Sequence, residues 1–246
     1  MLKVLTYNIH KGFDRYNRNY ILHAMRHHLQ RVDVDVIFLQ EVLGHHQQHE
    51  VWVPKWPLIS QFEYLADQLW PHYAYAKNAI YSKGHHGNAI LSKYAISEWK
   101  NVNVSRIKKA SRSLLHGIIR LPDTDSSLHL ICVHLELVGF ERTRQIGILK
   151  TYIDSVIPAG EPIILAGDFN DWNGRAGVRL EAALGMEEVI RSTRGQYAKT
   201  YPSHWPLLRM DRIYFRGAKL LNSACFNDPP WKTMSDHLPL YACFGG

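Results

Sequence analysis

At 246 residues, with 46% hydrophobic and 21% charged side chains, the chain has the balance of an ordinary globular protein rather than a disordered or membrane one. It is long enough to bury a sizeable α/β core, and residues 1–246 read as one domain. A formal charge of +7 favours anionic partners such as nucleic acid, phospholipid headgroups or phosphorylated metabolites, without choosing among them.

The N-terminus enters a strand pattern at once, Lys3 to Thr6, with no basic and apolar leader, so a cytoplasmic location is expected. Ile21, Leu22, Met25 and Leu29 share one helical face. Val34 to Leu39 reads as a strand, and Gly44 to Ser60, with His45, His46, His49, Trp52 and Trp56, reads as an irregular functional loop. Phe62, Leu65, Ala66 and Leu69 predict a second helix, followed by strands at Tyr73 to Ala76, Ala89 to Leu91, Leu114 to Leu121 and Leu128 to Val133. Ile146, Leu149, Ile153 and Val156 predict a third helix before strands at Pro162 to Ala166, Arg212 to Phe215 and Leu238 to Phe244. Strands dominate, so an α/β sandwich with outer helices is expected. No apolar run approaches the roughly 20 residues of a membrane span. Cys132, Cys225 and Cys243 lie in apolar strand-like runs with no disulfide or zinc spacing and read as buried thiols. The pairs and triplets of histidine also lack zinc-ligand spacing.

Four polar clusters each end an apolar run: Tyr7-Asn8-Ile9-His10, Gln40-Glu41-Val42, Gly167-Asp168-Phe169-Asn170 and Ser235-Asp236-His237-Leu238-Pro239. Strand ends are where an α/β scaffold presents its chemistry. In an extended segment Asp168 and Asn170 would share one face while Phe169 turns into the core. Asp236 and His237, being adjacent, would point opposite ways, leaving His237 to find its carboxylate elsewhere.

With Met210-Asp211-Arg212-Ile213-Tyr214 before the last of them, these motifs resemble the endonuclease/exonuclease/phosphatase superfamily over nearly the whole chain. The resemblance implies a four-layer sandwich of two mixed β-sheets flanked by helices, with the active site at one edge. It implies Glu41 as ligand of Mg²⁺, with Mn²⁺ able to substitute, since hard cations bind through one or two carboxylates. Asp236 is placed near the metal, and Asn8 at the metal or a phosphate. Asp168 would orient or deprotonate the attacking water, Asn170 would position it, and Asp211 would pair with His237.

Val133-His134-Leu135 matches the histidine carried by deoxyribonucleases, sphingomyelinases and inositol phosphatases, rather than the tyrosine motif of abasic-site endonucleases. His134 would then protonate the leaving oxygen or stabilise the transition state. Where pancreatic-type nucleases carry an acidic support for that histidine, this chain reads His85-His86-Gly87-Asn88; three readings stay open, that Asn88 replaces it by hydrogen bonding, that His86 reaches the phosphate, or that the segment is a plain glycine-containing turn. Arg112 and Arg144, with Lys108 and Lys109, are further candidate contacts. The expected activity is a magnesium-dependent phosphodiesterase acting as a monomer. Nucleic acid leads as substrate, with Trp52 and Trp172 available for stacking. The alternatives are a phospholipid headgroup, touched through the Trp52 to Trp56 loop, an inositol phosphate, or a catalytically dead binding protein on this fold.

Overall fold

Strand β1 (Leu2–Asn8) is apolar on both faces. Leu2 and Val4 pack into one cluster while Leu5 and Tyr7 pack into another, so the strand must be covered on both sides. A computed structural model of the chain describes residues 1–67, 69–106, 112–121 and 126–245. After β1 come α1 (Leu22–Val32), β2 (Val36–His46), α2 (His49–Trp52), α3 (Gln61–Ala66), β3 (His72–Tyr81), β4 (Gly84–Ser92) and β5 (Ile96–Asn103). Then follow β6 (Ser113–Arg120), β7 (Ser127–His134), α4 (Gly139–Val156), β8 (Ile163–Asp168), α5 (Arg175–Leu184), β9 (Glu187–Glu188) and α6 (Val189–Arg194). The chain closes with β10 (Asp211–Arg216), β11 (Lys219–Cys225), α7 (Trp231–Met234) and β12 (Leu240–Gly245).

The strands form two six-stranded sheets, ordered β11-β12-β1-β2-β4-β3 and β5-β6-β7-β8-β10-β9. Each is mixed: β1 with β2 and β7 with β8 run parallel, and the other pairs run antiparallel. Val4, Val36, Phe38 and Ile90 of the first sheet meet Leu115, Leu130, Ile164 and Ile213 of the second in the central core. Each fully buried side chain of this size contributes about 1.5–3 kcal/mol. Helices α1 and α3 cover the outer face of the first sheet through Leu22, Met25, Leu29 and Leu65. Helices α4 and α5 cover the second through Leu149, Ile153, Leu180 and Leu184. The result is the expected four-layer sandwich.

Local details depart from the sequence reading. Gly44 to His46 are not loop: they extend β2 by pairing with His85 and Gly84 of β4, and α2 follows. Backbone ladder bonds there hold a polar stretch that carries no apolar alternation. Helix α3 is set by a capping box between Ser60 and Glu63 and ends at Ala66, which leaves Leu69 outside it and exposed. Val156 likewise faces solvent at the end of α4. Cys132 and Cys243 are buried, and Cys225 is partly so. Among the described residues no helix is long and apolar enough to cross a membrane.

Candidate active site

The register of the second sheet builds half of the site. His134 at the end of β7 and Asp211 at the start of β10 both lie directly beside Asp168, the last residue of β8. Gly167 makes this close approach possible. It has φ 144°, and a Cβ there would stand 2.0 Å from the Val133 carbonyl oxygen. Buried Arg212 braces the row by donating to the Asp211 and Asp171 carbonyls at 2.9 and 3.2 Å.

The first sheet supplies the other half. Glu41 sits in a bulge of β2, where the pairing with β4 shifts between Leu39 and Val42, and takes φ 57°. A non-glycine residue in that region is strained, a condition that clusters at functional sites. Asn8, at the end of β1, links the sheets: its Nδ2 donates to Asp168 Oδ2 at 3.2 Å and to Glu41 Oε1 at 3.5 Å. Its Oδ1 accepts from the His10 amide. His237, entering β12, places Nδ1 2.8 Å from Asp211 Oδ2 and Nε2 3.8 Å from Asp168 Oδ2. Thr200 Oγ1 donates to the same Asp211 oxygen at 2.6 Å. His134 Nε2 lies 3.4 Å from Asp168 Oδ2.

Asn170 departs from the extended geometry expected of it. It takes φ 51°, a conformation asparagine tolerates, and its amide donates to Asp168 Oδ1 at 2.9 Å. Its Nδ2 donates to the Leu135 carbonyl at 2.7 Å, while Phe169 is buried against Tyr214. Asp168 and Asn170 nonetheless reach the same cleft.

That cleft, about 460 Å³, is lined on one side by Glu41, Asp168, Asn170, Asp236 and His237. Arg112, His134, Leu137, Trp172, Tyr201, Leu208 and Met210 complete its wall. Arg112 stands 3.4 Å from Glu136 Oε1. Asp236 is half-buried, with its Oδ1 3.7 Å from His10 Nδ1. Asn88 and His86 are not among the lining residues. Asn88 is completely buried and donates to the Ser113 carbonyl at 3.1 Å. Arg144 is engaged by Glu141 and the Val104 carbonyl. Lys108 and Lys109 fall outside the described residues. Trp172 is half-exposed on the cleft, whereas Trp52 projects from the α2 segment and does not line it. Sequence reasoning missed Tyr201, whose ring centroid is 5.0 Å from that of His237, and Lys11, whose Nζ is 3.2 Å from Glu41 Oε2. Both sit on irregular backbone, where no periodicity marks them.

Burial works against a charged His237, but the carboxylates of Asp211 and Asp168 outweigh it and push the imidazole up to about 10. Burial raises Asp168 to about 7; His237 opposes this and the neighbouring Asp211 reinforces it. Burial and the Arg112 charge hold His134 well below its ordinary value. Burial opposes ionisation of Glu41 too, yet His134, Lys11, His237 and His86 around it keep its carboxyl below the usual range.

Asp168, Asp211 and His237 bring ligand-type atoms within 4.8 Å of one another. A protonated His237 tied to Asp211 has no lone pair to give, so this trio is a poor cation cage. Glu41 fits better, because its Oε2 is buried without a hydrogen bond and the half-buried Asp236 faces the same cleft. Such oxygen donors suit a hard divalent ion.

A family model described as Endonuclease/Exonuclease/phosphatase family matches residues 5–237. The chain is 42% identical over 240 residues to a protein of Escherichia coli (strain K12) named "Uncharacterized protein YbhP", covering 98% of this chain and 94% of that one. It shares its fold with an endonuclease/exonuclease/phosphatase from Beutenbergia cavernae (TM-score 0.79, 18% identity, 100% of this chain and 72% of that one). It also resembles D. rerio TDP2 complexed with single strand DNA product (TM-score 0.70, 19% identity, 100% and 99%). Sheet order, strand-end carboxylates and these matches agree: the chain belongs to the endonuclease/exonuclease/phosphatase family, whose members are generally phosphoesterase hydrolases.

Proposed function

We propose that the chain is a magnesium-dependent phosphodiesterase that hydrolyses nucleic acid by in-line attack of an activated water. We place it in the cytoplasm as a single-domain monomer. The observation that carries the reading is the convergence of Glu41, His134, Asp168 and His237 on one cleft, with buried Asp211 holding His237 from behind. A Mg²⁺ ion held by Glu41 and Asp236, with Asn8 steadying the carboxylates, would neutralise charge on the phosphoryl and leaving oxygens, and Mn²⁺ would serve in its place.

Asp168, with a carboxyl near neutrality, accepts the proton of the attacking water. Asn170 holds that water beside it. His237, kept cationic by Asp211, binds a nonbridging phosphate oxygen and stabilises the charge that grows there. Neutral His134 donates a hydrogen bond to the phosphoryl group from the opposite side. Arg112 adds a fixed positive charge, and Trp172 and Tyr201 offer flat faces to a base.

The +7 charge and the resemblance in fold to a protein solved with a single-stranded DNA product support nucleic acid as substrate. The exposed Val51, Trp52, Leu58 and Ile59 support a second reading, a phospholipid-headgroup phosphodiesterase touching a membrane there. Purified protein with Mg²⁺ should cleave single-stranded DNA or RNA faster than phospholipid vesicles or inositol phosphates. Cleavage confined to vesicles would establish the second reading, and no hydrolysis of any ester would end both.

A further inference from the structure

Helix α4 buries Arg142, Gln145, Leu149, Tyr152 and Ile153 along one stripe, so the end nearest the cleft places an arginine and a glutamine where Leu149 and Ile153 continue the same face. Arg142 is almost completely buried, and Gln145 is wholly so. A guanidinium or amide taken out of water is costly unless partners satisfy it, so packing alone does not account for either residue.

Their partners are backbone groups of the segment between β7 and α4. Arg142 Nη1 donates to the carbonyls of Glu136 and Leu137 at 3.1 and 2.9 Å, and Gln145 Oε1 accepts from the Glu136 amide at 2.9 Å. Leu137 and Val138 face solvent, so apolar burial does not fix that stretch. On the other side, Arg142 Nε stands 3.9 Å from Oδ1 of buried Asp171, whose carboxylate accepts from the Ala176 and Gly177 amides at 3.2 and 2.8 Å. Arg142 therefore ties the residues that follow His134 to the residue that follows Asn170.

The orientation of Asn170 depends on this tie. Its Nδ2 donates at 2.7 Å to the carbonyl of Leu135, the residue just before the two that Arg142 grips. A carbonyl only accepts, so that bond fixes which end of the Asn170 amide is the amine and leaves Oδ1 to receive a hydrogen bond from the attacking water. We propose that Arg142, assisted by Gln145, is a positioning residue for hydrolysis, holding the Leu135 carbonyl where it orients Asn170. Arg142 does not line the cleft, so it acts through Asn170. This rests on the phosphoesterase reading of the site and on the water-holding role of Asn170 within it.

Arg142→Lys keeps the charge but cannot reach both carbonyls and Asp171 together. In the magnesium-loaded enzyme it should lower kcat by about 10- to 100-fold, as a displaced reacting group does, with KM within about threefold of wild type. Gln145→Met removes no charge and should lower kcat by a smaller factor. The route is read in an Asn170→Ala background, where Arg142→Lys should cost nothing further. Losses that multiply in the double variant overturn the proposal, and so does an Arg142→Lys protein that melts lower but keeps the wild-type kcat. NMR supplies a readout without turnover: the side-chain amide protons of Asn170 in the metal-free protein should move toward free-amide shifts in Arg142→Lys and Gln145→Met. An unmoved Asn170 signal in both variants overturns the proposal as well. If Arg142→Lys does not fold, Gln145→Met carries the kinetic and NMR comparisons alone. Absence of hydrolysis of every phosphate ester by the wild-type protein overturns the phosphoesterase reading instead, and the NMR signal still judges whether Arg142 and Gln145 orient Asn170.

Discussion

Asp211 and His237 are joined at 2.8 Å across the two sheets, because β10 opens in one sheet and the segment carrying His237 enters β12 of the other. Each secures the other's role. His237→Ala and Asp211→Asn should therefore lower kcat by similar factors, about 10²- to 10⁴-fold for a proton-bearing group. The double variant should be little worse than either single one, as for residues that act as a unit. Full additivity in steady-state kinetics would separate them.

The same pair sets a pH dependence. Its imidazole is raised from 6.5 to about 10, so its contribution to stability is complete below about pH 6.5 and is lost as pH rises through about 10. Activity that needs the cation should fall along the same limb. Asp211→Asn removes the larger raising charge, so the alkaline limb of its pH–rate profile should move toward neutrality. NMR titration of the His237 ring should show the same displacement, and an unmoved ring would contradict the pairing.

The strand cores and strand-end carboxylates were legible in the sequence because buried strands show as apolar runs and chemistry gathers where they stop. Two edge strands were not: β5 and β11 are largely solvent-facing and lack that signal, whereas the edge strand β3 was read from Tyr73 to Ala76. Helix α5 was also missed, since it buries only Gly177, Leu180 and Leu184. The left-handed backbone at Glu41 and Lys11 is set by a bulge and by a tertiary hydrogen bond from Gln61, which no local pattern encodes, while at Asn170 a local bond from its amide to Asp168 combines with the long-range bond of its side chain to the Leu135 carbonyl. The cleft's far wall, with Tyr201, Leu208 and Met210, comes from irregular segments for the same reason.

Activity should vanish with excess EDTA and return with Mg²⁺ or Mn²⁺. Glu41→Gln keeps the shape of the side chain but removes an anionic ligand and the partner of Lys11. It should shift the midpoint of a magnesium titration upward by at least tenfold while leaving the melting temperature of the metal-free protein within a few degrees. A wild-type titration curve for this variant would take Glu41 out of the metal site.

His134 is held neutral by burial and by Arg112, and its Nε2 faces Asp168 Oδ2 at 3.4 Å. A neutral ring donates a hydrogen bond more readily than it gives up a proton. His134→Ala should then cost a similar factor with p-nitrophenyl esters and with esters of poor leaving groups, and His134→Gln should recover part of it. A penalty that shrinks sharply for p-nitrophenol would instead assign His134 as the general acid.

Asp168 shows where function and stability oppose each other. Its carboxyl is buried beside Asp211 and raised from 3.8 to about 7, so in the metal-free protein ionisation costs stability progressively above about pH 4 and fully above about pH 7. Asp168→Asn removes that cost, and an amide oxygen in place of Oδ1 still accepts from the Asn170 amide. The bond from Asn8 Nδ2 to Oδ2 is forfeited, a loss of about 1 kcal/mol that the relieved charge exceeds. The metal-free variant should therefore melt higher than wild type at pH 8, by roughly 2–4 °C for each kcal/mol gained, and no higher at pH 4. Its hydrolytic activity should be lost, since an amide cannot take the proton of water. A variant that melts lower at pH 8 would show that Asp168 is held by its hydrogen bonds more strongly than burial opposes its charge.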